Sequence, residues 1–271
     1  MAAAAGGCGG RPAPSAASPA RPPDAVETGA WRRAVRAARG TPLEVAALID
    51  HTLLEPGATR RKVEKLCGEA GQFGFATVCV NPVWVPVCVR LLAGTSVRVC
   101  SVVGFPFGAS TAGVKAAEAR RAILDGAREI DMALNLGLLK SGELGLTADD
   151  IEGVTAVCRE GGALSKVIIE AALLSQEEKV AACVLARAAG ADFVKTSTGF
   201  GPGGATVADV ALMRRVVGEE MGVKAAGGIR DLETLRAMVE AGATRIGSSA
   251  GVRIVLQVTD SLRSGGGGRG L

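Results

Sequence analysis

Asp192-Phe193-Val194-Lys195-Thr196-Ser197-Thr198-Gly199-Phe200 is the stretch on which the reading of the chain turns. Phe193 and Val194 read as a short buried strand that ends at a lysine, where hydroxyls and a glycine break the run. A charged lysine is costly to bury in an apolar strand. Two arrangements relieve that cost. The side chain snorkels to solvent, or its amine sits at the rim of a pocket, partly neutral and able to attack a carbonyl. Lys195 alone does not separate the two.

Working outward, the same unit recurs from Pro42 onward: an apolar strand ends in polar or glycine residues and an amphipathic helix follows. Eight candidate strands stand at Leu48–Asp50, Thr77–Val80, Val97–Val103, Glu129–Leu134, Lys166–Glu170, Phe193–Lys195, Val223–Ala225 and Arg245–Gly247. Their pitch of roughly 20–35 residues suits a strand plus a crossover helix. Several run apolar throughout, as parallel strands covered on both faces do. The helices carry their own punctuation. After Thr59, the residues Val63, Leu66, Cys67 and Ala70 share one face, with Gly71 as the expected stop. Ser175-Gln176-Glu177-Glu178 forms a capping box, followed by Val180, Cys183 and Val184 as the expected inner face and Gly190 as the stop. Asp231 caps a helix whose Leu235, Met238 and Val239 face inward, and Gly242 ends it. Eight such units predict an α/β chain folded as a (β/α)8 TIM barrel. The alternative is an open doubly wound sheet, but no GxGxxG turn follows an early strand.

A chain of 271 residues suffices for one such barrel. Hydrophobic residues make up 48% and aromatics only 3%, with no tyrosine, so the core must be aliphatic. No apolar run reaches the roughly 18 residues of a membrane-spanning helix, so no membrane partner is expected. The net charge of +4 resides in residues 1–40, where six arginines face Asp24 and Glu27. The balanced remainder has no basic stripe for a nucleic acid. Seven scattered cysteines without a CxxC, and one histidine, His51, are poor material for a zinc site or a disulfide framework. We therefore expect no metal and a reducing, cytoplasmic setting. Residues 1–40 are expected to form a disordered or weakly structured extension, with Trp31–Arg39 as a short helix leading into the body. The barrel is expected over 41–262 and a flexible Gly-rich tail over 263–271. The Arg-rich, acid-poor start also fits a cleaved organelle transit segment.

A barrel places its chemistry at the C-terminal ends of its strands. Those ends carry Asp50 and His51, Cys79 and Asn81, Gly104, Asp131 and Asn135, Glu170, Lys195, Lys224, and Ser248 with Ser249. Lys195 and Lys224 end neighbouring strands, which lie about 5 Å apart in a sheet. A pocket is then the expected home of Lys195. Asp50 is expected to line the mouth. Cys79 either faces reactive aldehydes there or is a buried, inert thiol. His51 and Glu170 are expected to be structural. Gly227-Gly228 and Ser248-Ser249 follow the last two strands, where barrels commonly hold phosphate. Glycines let backbone N–H groups approach, and serine hydroxyls add donors. Thr198, just past Lys195, joins this substrate-binding set.

In order along the chain, LIDHTLLEP (48–56), VCVNP (78–82), VVGFPFG (102–108), EIDMALNLGLLKSGE (129–143), KVIIEAALL (166–174), DFVKTSTGF (192–200), VKAAGGIRD (223–231) and ATRIGSSAGV (243–252) resemble the 2-deoxyribose-5-phosphate aldolase family. The resemblance covers about residues 42–255 and implies a Schiff-base aldolase. It implies that Lys195 forms the Schiff base and that Lys224 and Asp131 assist proton transfer. It also implies reversible cleavage of 2-deoxyribose 5-phosphate to glyceraldehyde 3-phosphate and acetaldehyde, with no cofactor. A protonated imine would be the electron sink for the breaking bond. The Lys224 cation would favour a free amine on Lys195, while Asp131 would hold Lys224 charged. Phe200 stands where some members carry a lysine that meets the phosphate, and the C-terminal tyrosine of some members is missing. Two other readings stay open: another phosphosugar Schiff-base aldolase, or a barrel that binds phosphosugar without turnover. Oligomeric state is left open, with a homodimer or homotetramer as the candidates.

Overall fold

The structure, a computed structural model, describes residues 29–266. The expectations for residues 1–28 and 267–271 lie outside it. Eight parallel strands close into a barrel in chain order: β1 Ile49–Leu53, β2 Thr77–Val80, β3 Arg98–Val103, β4 Glu129–Ala133, β5 Leu164–Ile168, β6 Phe193–Lys195, β7 Gly222–Ala226 and β8 Arg245–Ser248, with β8 pairing back onto β1. The helices are α1 Ala30–Ala38, α2 Pro42–Ala46, α3 Arg60–Phe73, α4 Val85–Leu91, α5 Ala112–Leu124, α6 Leu136–Lys140, α7 Leu144–Glu160, α8 Gln176–Ala188, α9 Val207–Val217, α10 Leu232–Glu240 and α11 Gly251–Gly266. The closed barrel is the expected architecture, and the open sheet is set aside.

The strands alternate more than their apolar runs suggest. Ile49, Val78, Ile130, Val167, Val194, Val223 and Ile246 belong to the large aliphatic core between barrel and helices. The residues between them point inward. Barrels ordinarily fill that interior with layers of Val, Ile and Leu. Here one side holds a small cluster of Leu54, Cys79, Cys100 and Val102, and the rest of the space holds charge.

Local signals mostly end the elements where the sequence places them. Asp231 caps α10 by accepting the Thr234 amide at 2.8 Å, and Ser175 with Glu178 opens α8 as a capping box. Two expectations are corrected. α3 runs through Gly71 to Phe73 and stops at Gly74, which takes the left-handed conformation with φ 71°. α8 buries Ala182, Cys183 and Ala186, leaving Val180 and Val184 outside, because small residues let it sit closely on its neighbours.

The expected boundaries also move. Residues 30–40 belong to the folded body, since the Trp31 indole donates to the Val239 carbonyl at 2.7 Å and Arg236 donates to the Ala38 carbonyl at 3.0 Å. Arg39 pairs with Glu240 at 2.9 Å. At the other end α11 continues to Gly266, past the expected boundary at 263. Among the described residues no helix is long and apolar enough to cross a membrane.

Candidate active site

Inward-facing positions of four consecutive strands converge on one point. Lys195 and Lys224 are Cα partners across β6 and β7, and Asp131 and Lys166 are Cα partners across β4 and β5. Asp131 Oδ2 accepts from Lys195 Nζ at 2.8 Å and from Lys224 Nζ at 2.7 Å. Its Oδ1 accepts from Lys166 Nζ at 2.8 Å. Lys224 also lies 2.5 Å from Asp50 Oδ2, and Lys166 lies 2.5 Å from Glu129 Oε2. Arg245 closes the ring from β8, 2.7 Å from Asp50 Oδ1 and 3.1 Å from Glu129 Oε2. The expectation that Asp131 serves Lys224 and leaves Lys195 apart is therefore corrected: one oxygen serves both.

Three carboxylates, Asp50, Glu129 and Asp131, thus face Lys166, Lys195, Lys224 and Arg245, with Arg98 3.7 Å from Glu129 Oε1 at the edge of the network. Burial by itself raises a carboxyl and lowers an ammonium. At Asp131 burial is overcome by Lys166, Lys195 and Lys224, which hold the carboxyl well below its ordinary value. Asp50 is held low against burial by Arg245, Lys224 and Lys166. Burial pushes Lys166 and Lys224 down, but the facing carboxylates, Asp131 foremost, hold both ammonium groups above the ordinary lysine value. Lys195 differs in position. Among the described residues its one ion pair is with Asp131, and it alone of the three lysines lines the open pocket.

Asp50, expected at the mouth, lies deeper, and of the two readings of Cys79 the buried one holds. Asp50 is fully buried beneath Lys224, because β1 continues past it to Leu53, and Thr52, Leu53 and Leu54 line the mouth instead. Cys79 is fully buried too, so it faces no bulk substrate. Its thiol, the Cys100 thiol and the Asp131 carboxylate lie within 4.8 Å of one another. These are possible ligands for a soft metal ion. Both Asp131 oxygens are already committed to ammonium groups, however, and a divalent cation there would face three like charges. The cluster suits the lysines better than a metal.

A pocket of about 270 Å³ opens at the C-terminal ends of the strands, lined by Lys195, Thr198, Phe200, Gly227, Gly228, Arg230, Ser248 and Ser249 among others. The Thr198 hydroxyl donates to the Glu170 carboxylate, and its amide does so at 3.2 Å. Glu170, held at φ 49°, thereby braces the turn that follows Lys195. Gly227 and Gly228 take φ 88° and 80°, and a Cβ on Gly204 would lie 2.3 Å from the Gly227 oxygen. Only glycine allows these two loops to cross so closely. The Ser248 hydroxyl is not a free donor as expected. It donates to the Ile229 carbonyl at 2.7 Å and accepts the Ala250 amide at 3.0 Å, tying the two loops together. Ser249 is exposed beside it. Phe200 is half-exposed and stands edge-on to Phe105 at 5.5 Å.

Lys166, Glu129, Arg245 and Arg230 were not singled out by the sequence reading. Lys166 opens the apolar run Lys166-Val167-Ile168-Ile169 and carries the same signal of a costly buried lysine as Lys195. Arg230 follows directly on Gly227-Gly228-Ile229.

A closed parallel barrel, with a lysine amine held against a buried carboxylate below an open mouth, defines the class: an aldolase. More particularly, the sequence profile of the DeoC/LacD family aldolases matches residues 44–258, and the chain belongs to that family. It is 59% identical over 210 residues to the deoxyribose-phosphate aldolase of Lysinibacillus sphaericus, covering 78% of this chain and 94% of that one. It is 56% identical over 214 residues to the deoxyribose-phosphate aldolase of Caldanaerobacter subterraneus, covering 79% and 93%. Its fold resembles the solved tetrameric deoxyribose phosphate aldolase from Aeropyrum pernix with TM-score 0.77 and 34% identity, covering 85% of this chain and 98% of that one.

Proposed function

We propose that the protein cleaves 2-deoxy-D-ribose 5-phosphate reversibly to D-glyceraldehyde 3-phosphate and acetaldehyde, with Lys195 as the covalent nucleophile. The observation that carries this reading is the single Asp131 oxygen shared by Lys195 and Lys224. The Lys195 amine attacks the aldehyde carbon C1 of the open-chain sugar, water leaves, and a protonated imine forms. The C3 hydroxyl then gives up its proton, and the C2–C3 electron pair moves into the imine. Glyceraldehyde 3-phosphate departs and an enamine remains. The enamine takes a proton at C2, and water releases acetaldehyde and regenerates the amine. Lys224 and Asp131 relay the protons, Asp131 Oδ2 standing within hydrogen-bond reach of both Lys224 and Lys195. Incubation with acetaldehyde and borohydride is expected to leave a two-carbon adduct on Lys195, located by peptide mass mapping. An adduct on Lys224 or Lys166 would overturn the assignment. Tight phosphosugar binding without acetaldehyde release would instead make the protein a binding barrel.

The phosphate is received at the Gly227-Gly228 turn and at the start of α11. Backbone amides and the positive end of a helix dipole converge there, joined by the exposed Ser249 hydroxyl and the Arg230 side chain. Arg230 supplies the cation that Phe200 does not. Ser249→Asp sets a carboxylate against the phosphate. It is expected to raise KM for deoxyribose 5-phosphate by about tenfold, the equivalent of roughly 1.4 kcal/mol, and to leave KM for unphosphorylated deoxyribose nearly unchanged. Equal effects on the two sugars would move the phosphate elsewhere. Among the described residues the six cysteines are free and buried, which suits a reducing, cytoplasmic setting, and the Aeropyrum pernix relative offers the precedent for a homo-oligomer.

A further inference from the structure

His51 is the chain's single histidine, and the chemistry above leaves it unused. Alternation along β1 turns Asp50 into the barrel and His51 out against α3 and α11. The residue is 3% exposed. Its ring packs on Phe75 with centroids 4.7 Å apart, and Nε2 lies 2.9 Å from Glu69 Oε2 on α3. Its Cα is the register partner of Ser248. Nδ1 faces the first residue of α11, where a Cβ on Gly251 would come within 3.0 Å of it. Nδ1 makes no hydrogen bond of ordinary geometry among the described residues, although the Ser248 backbone lies near the ring. A polar ring with one nitrogen left over costs stability in an aliphatic layer, where leucine would not.

The turn at Ser249 is a thin wall. On one side Ser249 lines the catalytic pocket. On the other it lines a second cavity of about 510 Å³, together with Ala250, His51, Glu69 and Arg253. His51 is the one buried residue in that second lining. A turn backed by open space has room to relax outward, and the ring stands where it would go.

We propose that His51 is a positioning residue for the substrate phosphate: locked to Glu69 and Phe75, it fixes from behind the Ser248–Gly251 turn that receives the phosphate. The inference rests on the phosphate placement proposed above. Burial holds the imidazole below its ordinary value, although Glu69 and the Ser248 backbone favour the charged ring. The ring is therefore neutral at neutral pH, with Nε2–H assigned as the donor to Glu69. It acts on the position of the turn and adds no charge to the site.

The test compares His51→Ala, His51→Gln and Arg230→Gln in the full chain. His51→Ala is expected to raise KM for 2-deoxyribose 5-phosphate about tenfold, as small misplacements of a binding group do. Its kcat, its KM for 2-deoxyribose and its rate of acetaldehyde–borohydride trapping stay near the parent values. His51→Gln keeps a donor for Glu69 and most of the volume, and restores KM to within about threefold of the parent. Arg230→Gln tests the phosphate placement independently of His51. If Arg230→Gln acts on the phosphorylated sugar alone while His51→Ala acts on both sugars equally, or on neither, the positioning role is overturned. If neither variant distinguishes the sugars, the phosphate placement fails and takes the inference with it. Should His51→Ala not accumulate as folded protein, Glu69→Gln loosens the ring without emptying its space and is read in the same way.

Discussion

Lys166→Met is expected to unfold at least about 6 °C below the parent protein and to lose most of its turnover at neutral pH. Lys166 is fully buried between Glu129 and Asp131, 2.5 and 2.8 Å from their oxygens. Methionine fits the volume but returns no charge. Removing one partner of a buried ionic network costs about 3–5 kcal/mol. Each kcal/mol moves Tm by about 2–4 °C in a chain of this size. The loss of activity has a separate cause. Lys166 holds Asp131 Oδ1, and without it the carboxylate that Lys195 and Lys224 share is free to turn away from them. Calorimetry reads the first effect, and initial rates at neutral and alkaline pH read the second. A Tm within about 2 °C of the parent would show that the network does not hold the barrel.

The same network sets the pH range of stability. Asp50 and Asp131 are held below their ordinary value of 3.8. Their contribution is complete above that value and is lost as pH falls through the lower values of the folded protein. Lys166 and Lys224 are held above 10.5. Their contribution is complete below that value and is lost as pH rises through the higher folded values. The barrel's charges therefore favour folding throughout the range between.

The barrel was legible because its repeat is coarse. Each of the eight strands is an apolar run closed by polar or glycine residues, and the eight closures come at a steady pitch. The site was legible only in part. Lys195 closes β6, while Lys224 and Asp131 stand midway along β7 and β4; the rule that barrel chemistry gathers at strand ends still brought all three into view. Asp50 was placed at the mouth by the same rule and sits lower because β1 extends to Leu53. Cys79 was left open between the mouth and a buried thiol; β2 ends at Val80 as expected, and Cys79 packs inward with Cys100 and Val102. Lys166 was passed over as the start of a strand, although its cost of burial equals that of Lys195. The commitment of the Ser248 hydroxyl to Ile229 spans 19 residues and leaves no local trace in the sequence. The inward face of α8 was misread because alanine gives almost no periodic signal, yet alanine is what lets helix and barrel approach.

Lys224→Leu is expected to leave Lys195 able to trap acetaldehyde, but slowly at neutral pH, with recovery as pH rises. Two ammonium groups that share Asp131 Oδ2 lie within roughly 5 Å of each other and repel by about 3 kcal/mol at an effective dielectric of 20. The strain falls on the less firmly held partner. Lys224 is held by both Asp50 and Asp131, at 2.5 and 2.7 Å, whereas Lys195 has Asp131 alone, at 2.8 Å. Lys195 is also the one that meets the open pocket, where a released proton can leave. Leucine at 224 removes the repulsion and gives Lys195 undivided use of Asp131 Oδ2, a tight pair that holds the ammonium form. Raising the pH supplies the missing deprotonation, so trapping with borohydride recovers. Turnover recovers less, because the second relay group is still absent. The measurement is the pH profile of the trapping rate in parent and variant, read as adduct mass on Lys195. Identical profiles would mean that Lys224 does not govern the charge of Lys195, and its part in the reaction would then be proton transfer alone.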